Sequence, residues 1–224
     1  MPLPTSYVGS GQAFPVILQH PHSSEVMSVQ PAIIKETFTN PSTIDADGIS
    51  ASHAGAATAG TTNMTIGGAL ASGGVATLTP ARNVVITVTH GSSVVAMSGV
   101  ISGTDVHGNA ITENWSVTAG TTSKTFTGNK AFKTVTGITE VVAADASANT
   151  IVAGDGKKLG LSYKAADVTL ITETEDGAIP TAGVLVAASS AATTDARGTY
   201  TPNSTLNGAL DFVIRYLTET AARS

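Results

Sequence analysis

A chain of 224 residues with a formal charge of −5 and only 12% charged residues has room for one sizeable domain plus an extended appendage. Its balance excludes a dedicated nucleic-acid binder, which needs clustered Lys and Arg; Lys157-Lys158 is the one adjacent basic pair. The absence of cysteine excludes disulfide frameworks, thiolate metal sites and cysteine nucleophiles together.

Aromatic residues are 4% of the chain, so its core must be built from Val, Ile, Leu and Ala. A surface this poor in charge is weakly protected against association and is expected to meet neighbouring molecules. The start, Met1-Pro-Leu-Pro-Thr-Ser-Tyr7, lacks the basic and apolar regions of a secretory signal. No stretch reaches the roughly 18 apolar residues of a membrane span. Folding in the cytoplasm of the producing cell is the expectation.

Residues 1–40 hold Pro2, Pro4, Pro15, Pro21 and Pro31 around short apolar pieces. Proline has no N–H to donate and restricts its predecessor to extended geometry, so this segment predicts an extended N-terminal arm. Its apolar residues Phe14, Val16, Ile17, Leu18, Val29, Ile33, Ile34 and Phe38 are the candidate contacts with a partner surface.

Residues 41–74 are Gly, Ala, Ser and Thr with few large side chains, as in Ala54-Gly-Ala-Ala-Thr-Ala-Gly60. So little apolar area does not offset the entropy of ordering, which predicts a linker, or a segment that orders only against neighbours.

Residues 75–224 predict the main domain. In Asn83-Val-Val-Ile-Thr-Val-Thr89, period two puts Val84, Ile86 and Val88 on one face. Val94 to Ser102 continues the pattern, His107-Gly108-Asn109 turns the chain, and Ile111, Trp115 and Val117 share the next inward face. Gly128-Asn129 and Gly154-Asp-Gly-Lys-Lys-Leu-Gly160 predict further turns, with a bulge near Gly137. Later strands are expected at 150–153, 159–163, 168–174, 184–189 and 211–218, the last aligning Phe212, Ile214 and Tyr216. No window has helical apolar spacing with good helix formers. The predicted fold is all-β: an antiparallel β-sandwich, immunoglobulin-like or related.

Tests for chemistry return ordinary readings. The glycine-rich stretch at 154–160 matches neither phosphate-loop nor dinucleotide spacing. His20 and His22 are a two-ligand pattern, too small for a metal site. The clusters Asp45-Ala-Asp47-Gly48 and Glu173-Thr-Glu175-Asp176-Gly177 lack the full calcium-loop spacing. No nucleophile elbow is present. Asn63-Met-Thr65, Asn114-Trp-Ser116 and Asn203-Ser-Thr205 match glycosylation acceptors only through Ser and Thr richness. The expectation is a non-enzymatic protein with no catalytic, cofactor or metal residues.

The segments Thr77-Leu-Thr-Pro-Ala-Arg-Asn-Val-Val-Ile-Thr-Val-Thr89, Val100-Ile-Ser-Gly-Thr-Asp-Val-His-Gly-Asn-Ala-Ile-Thr-Glu113, Gly128-Asn-Lys-Ala-Phe-Lys-Thr-Val135, Lys157-Lys-Leu-Gly-Leu161 and Gly198-Thr-Tyr-Thr-Pro-Asn203 resemble virion structural proteins of tailed bacteriophages. Among those they are most similar to capsid decoration, or cement, proteins. The resemblance runs from about residue 75 to the C-terminus. It implies a non-enzymatic β-rich protein on the capsid surface of the virion, partnered by the major capsid protein and by copies of itself, with a trimer suiting threefold positions of the shell. It supplies no catalytic residues. Other readings are a tail, tail-tube or fibre component, and a carbohydrate-binding host-attachment module.

Overall fold

The computed structural model describes residues 32–218, which form thirteen strands and no helix. Five strands make the frame: β5 (Val75–His90), β6 (Met97–Thr104), β7 (Ala110–Val117), β8 (Ser123–Val142) and β9 (Asn149–Gly160). With β11 (Val184–Val186) and β12 (Thr199–Thr201) they run in the order β11-β12-β9-β5-β8-β6-β7 in one ten-stranded sheet. The remaining three strands of that sheet lie outside this path: β2 (Ser50–Ala54) on β9, β3 (Gly60–Asn63) on β8, and β4 (Ala71–Ser72) on β5. A second, three-stranded sheet has the order β1-β13-β10, from β1 (Ile33–Phe38), β13 (Phe212–Thr218) and β10 (Ala165–Glu175). All these pairings are antiparallel, and the fold is a sandwich-like all-β arrangement.

Two cores explain which residues alternate. Val84, Ile86 and Val88 on β5 meet Ile101 on β6, Trp115 on β7, Val135 and Ile138 on β8, and Ile151 on β9 in the larger one. Because β5 and β8 change partners along their length, residues from both ends of the sheet reach one cluster. Each fully buried Val, Ile or Leu contributes about 1.5–3 kcal/mol. Trp115 also donates its indole N–H to the Thr139 carbonyl at 2.9 Å, which removes the cost of burying that polar atom. The smaller core joins Phe38, Leu159, Leu185, Tyr200, Phe212, Ile214 and Tyr216 between the two sheets.

Three expectations change. Gly128-Asn129 and Gly154 to Lys158 are not turns but lie within β8 and β9. From Asn83 to Val85, β5 advances two residues while β8 advances four, from Thr127 to Ala131. On the other side, Arg82 to Val84 faces Asp155 to Leu159. The glycines thus mark two bulges that flank one point of β5. Glycine serves bulges and turns for the same reason, the absence of a side chain, so local sequence does not distinguish them. At Gly154 a Cβ would stand 1.9 Å from the Asp45 carbonyl oxygen; a second strip of backbone occupies that space.

The second change is that strip. Residues 41–74, expected as a linker, supply three strands and the core residues Ile49, Met64 and Ile66. Small side chains let backbone pack on backbone: Cβ atoms at Gly55 and Gly68 would each lie 2.3 Å from a carbonyl oxygen. Ordering entropy is offset by docking onto β8 and β9 rather than by the segment's own side chains. The third change concerns the boundary at residue 75. Strand β1, expected in the arm, pairs with β13 along its whole length from Ile33–Leu217 to Phe38–Phe212, so β1 belongs to the folded body.

Gly154→Val is expected to destabilise the protein by about 1–3 kcal/mol through overpacking, read as a lower denaturation midpoint. Gly91→Ala, where a Cβ meets nothing within 4 Å, is the control and should shift the midpoint little.

Candidate functional site

The chemistry-bearing side chains that the fold gathers are buried and bonded to backbone. On β5, Arg82 is fully buried and donates to Asp155 of β9 at 2.5 Å and to the Ser42 carbonyl at 2.6 Å. The other carboxylate oxygen of Asp155 accepts the Asp45 N–H at 2.6 Å, and the Asp155 N–H donates back to the Asp45 carbonyl at 3.1 Å. This pair fastens the start of the 41–74 segment to the sheet.

A second carboxylate fastens its middle. Glu140 on β8 has no exposure, and accepts the Ala56 N–H at 2.9 Å and the Thr62 hydroxyl at 3.2 Å. The His53 ring nitrogen Nε2 lies 3.0 Å from Oε2, the oxygen that also accepts the Thr62 hydroxyl. That acidic neighbour is 87 residues from His53 along the chain, a separation at which no spacing rule would find it.

A third cluster holds the two bulges. The Asn83 side chain donates to the Gly128 carbonyl at 3.1 Å and accepts the Lys158 N–H at 2.9 Å, bridging β8 to β9. The Lys158 ammonium donates to Gly128 and to Asn129 Oδ1 at 2.9 and 2.6 Å. Glu113, from β7, accepts the Asn129 N–H at 2.6 Å. Burial pushes the Glu113 carboxyl above its usual range despite those hydrogen bonds and the nearby Lys130 and Lys158 charges. Burial likewise lowers the Lys158 ammonium, with Glu113 opposing.

Beside this cluster lies a groove of about 400 Å³, lined by Ile44, Asn83, Val85, Asp155, Lys157 and Thr201 among others. Its lysine neighbours are committed, since Lys157 donates to the Asn203 carbonyl at 2.7 Å.

The same use of carboxylates recurs near the smaller core. Asp195 accepts the N–H groups of Ala131 and Arg197, each at 2.8 Å, and burial raises its pKa. The Arg197 guanidinium reaches Asp105 at 2.5 Å. Burial works against ionisation of Asp105, but hydrogen bonds from Arg197, Asn109 and His107 outweigh it and hold this carboxyl below its ordinary value. Tyr200 donates to Glu173, and Tyr216 to Glu36 at 2.7 Å. Burial and then the adjacent carboxylate push both phenols up. Among the described residues, no group of three or more His, Asp or Glu is placed to hold a metal ion, and no helix is long and apolar enough to cross a membrane.

The expected contact residues divide. Phe14, Val16, Ile17, Leu18 and Val29, with the His20–His22 pair, lie outside the described residues. Ile33 is 56% exposed, whereas Ile34 packs at the rim of the smaller core and Phe38 is buried in it, stacked on Tyr200 with ring centroids 6.0 Å apart. Phe38 is thus spent on its own chain, because β1 alternates at period two and places it toward Phe212 and Tyr200. Comparison with known proteins finds no matching family model, curated protein or solved structure.

Two measurements test this site. Arg82→Met leaves Asp155 buried without its partner, and should cost about 3–5 kcal/mol; adding Asp155→Leu should recover part of that loss, as read by a double-mutant denaturation cycle. The second is pH dependence. A carboxyl raised in the folded state holds its proton where the unfolded chain has released it. Glu113 and Asp195 therefore contribute stability that is present below ordinary carboxyl values and lost as pH rises through their folded values. Asp105, being lowered, contributes with the opposite sign, and its share is lost as pH falls below the ordinary range. Stability should decline from mildly acid to neutral pH, and Glu113→Gln should flatten that decline.

Proposed function

We propose that the chain is a capsid decoration protein of a tailed bacteriophage, which binds the outer shell and stabilises it mechanically. The observation that carries this reading is where the ionisable groups go. Arg82, Glu113, Glu140, Asp155, Asp195 and Arg197 are all buried and bonded to the protein's own backbone or side chains, Arg197 to Asp105, so they fix shape instead of serving a ligand. The resemblance of residues 75 onward to decoration proteins supplies the particle. Shell stability under internal pressure comes from many weak contacts, and a protein that binds two subunits at once gains effective concentration for each.

The tail or fibre reading shares the same structural logic and differs only in location. The carbohydrate-binding reading has less support. Sugar sites use exposed aromatic faces beside polar groups, and among the described residues every Phe, Tyr and Trp is buried or half-buried, with Trp115 only 1% exposed.

Removal of residues 1–31, a cut that spares β1, tests the reading on purified shells of the producing phage. The full chain should co-sediment with the shells, and the shortened one should lose attachment while keeping a cooperative unfolding transition. Shell binding unchanged by the cut would defeat the arm's part in it; a full chain that ignores shells but labels tails would move the protein to the tail.

A further inference from the structure

The three-stranded sheet turns Phe212, Ile214 and Tyr216 toward the smaller core, and among the described residues its other face is largely exposed. Registers place Ile33 beside Leu217, Lys35 beside Arg215, and Thr37 beside Val213 on that face, with Thr172 and Thr174 of β10 across from Arg215 and Val213. Lys35 and Arg215 are exposed, and neither has a carboxylate partner among the described residues. Arg215 is bonded only to the Thr172 hydroxyl, at 3.1 Å.

The same module carries three exposed apolar side chains. Ile33, Val168 and Ile171 are 56%, 67% and 40% exposed; Val168 and Ile171 sit where β10 breaks register with β13. Among the described residues β1 pairs with β13 alone, which leaves its other edge free, whereas β10 is engaged at its ends, Ala165 and Glu175, and has no further strand partner between them. An uncovered edge with apolar neighbours and little charge is a template for another strand.

Directly upstream of β1 lie 31 residues that supply a strand of the right composition. In extended geometry Phe14, Val16 and Leu18 share one face, and Pro15 between them is tolerated where a strand pairs on one side only. Residues 1–31 contain one carboxylate, Glu25, and no Lys or Arg, so they bring no like-charged Lys or Arg against Lys35 and Arg215. Fully extended they reach about 100 Å, far beyond their own module. Pro31 stands two residues before the start of β1, and proline biases the residue before it toward extended backbone, which disfavours a tight reversal onto the chain's own β1 edge.

We infer that the outer face and free β1 edge of the β1-β13-β10 sheet receive the N-terminal segment, residues 1–31, of a second copy of this chain. This rests on the arm's role in the proposed function and names its first binding site, a neighbouring copy, so that the chain links with its own kind as well as with the shell. Main-chain pairing along an edge strand supplies affinity, while Ile33, Val168 and Ile171 with Lys35 and Arg215 select the segment.

Photocrosslinking in solution, without capsids, tests the inference. Full-length chain carrying a benzophenone amino acid in place of Phe14 is mixed with isotope-labelled full-length chain, irradiated and digested. Crosslinks joining labelled to unlabelled peptides, and mapping to residues 33–37, 165–174 or 213–217, are the expected result, reduced several-fold by Arg215→Glu or by Val168→Lys with Ile171→Lys. Crosslinks confined to one chain, mapping to other surfaces, or absent at all concentrations would overturn it. Shell binding without crosslinks between copies would sink this inference alone; crosslinks between copies without shell binding would sink only the capsid reading.

Discussion

The buried ion pair of Arg82 and Asp155 is the constraint on which the rest of the body depends. A guanidinium and a carboxylate removed from water cost several kcal/mol each, and only good geometry with further hydrogen bonds offsets that. Here the further bonds all run to one place, the backbone at Ser42 and Asp45. The pair is therefore stable only when the 41–74 segment lies across β9, and the segment in turn lies there because this pair and Glu140 hold its N–H and carbonyl groups. Ile49, Met64 and Ile66 then complete the larger core from that side. Charge, segment and core are mutually conditional, which favours one cooperative unit over a sandwich with a loose leader.

The twin bulges follow from the same economy of side chains. A frame of strands as long as β5 and β8 must bend if its two ends are to reach one core, and extra residues at Gly128-Asn129 and Gly156 to Lys158 accompany the change of register. Bulges leave backbone groups without ladder partners. Asn83 and Glu113 supply those partners, at the cost of burying an amide and a carboxyl. These buried polar side chains are consequently a property of the bent sheet, and a search for catalysis among them finds groups already committed.

Much of the frame was legible in the sequence because period two survives wherever one face is buried. Val84, Ile86 and Val88, the inward Trp115, and Phe212, Ile214 and Tyr216 all sit where alternation puts them. The turn at His107 to Asn109 is present, with Asp105 accepting the His107 and Asn109 N–H groups at 2.8 and 2.9 Å. What was not legible depends on partners distant in sequence. A glycine that bends a strand and one that ends it look alike, so β9 was divided at Gly154. A Gly and Ala segment reads as disordered when its burial is supplied by other strands, and nothing local to Ser42 or Ala56 announces Asp155 or Glu140. Of the expected contact residues on β1, Ile33 faces outward, but Phe38 cannot be told from an arm residue without knowing that β1 pairs with β13.

That residues 41–74 belong to one folded body with β1 and the long strands is the central claim. Native-state hydrogen exchange resolved by residue measures this directly. The amides of Ile49, Gly55, Ala56 and Met64, bonded to Ala153, Asn149, Glu140 and Ile138 respectively, should exchange as slowly as those in the centre of β5 and open with the same free energy. Exchange of those four at the rate of an unstructured peptide, while β5 stays protected, would contradict the account and return the segment to a linker.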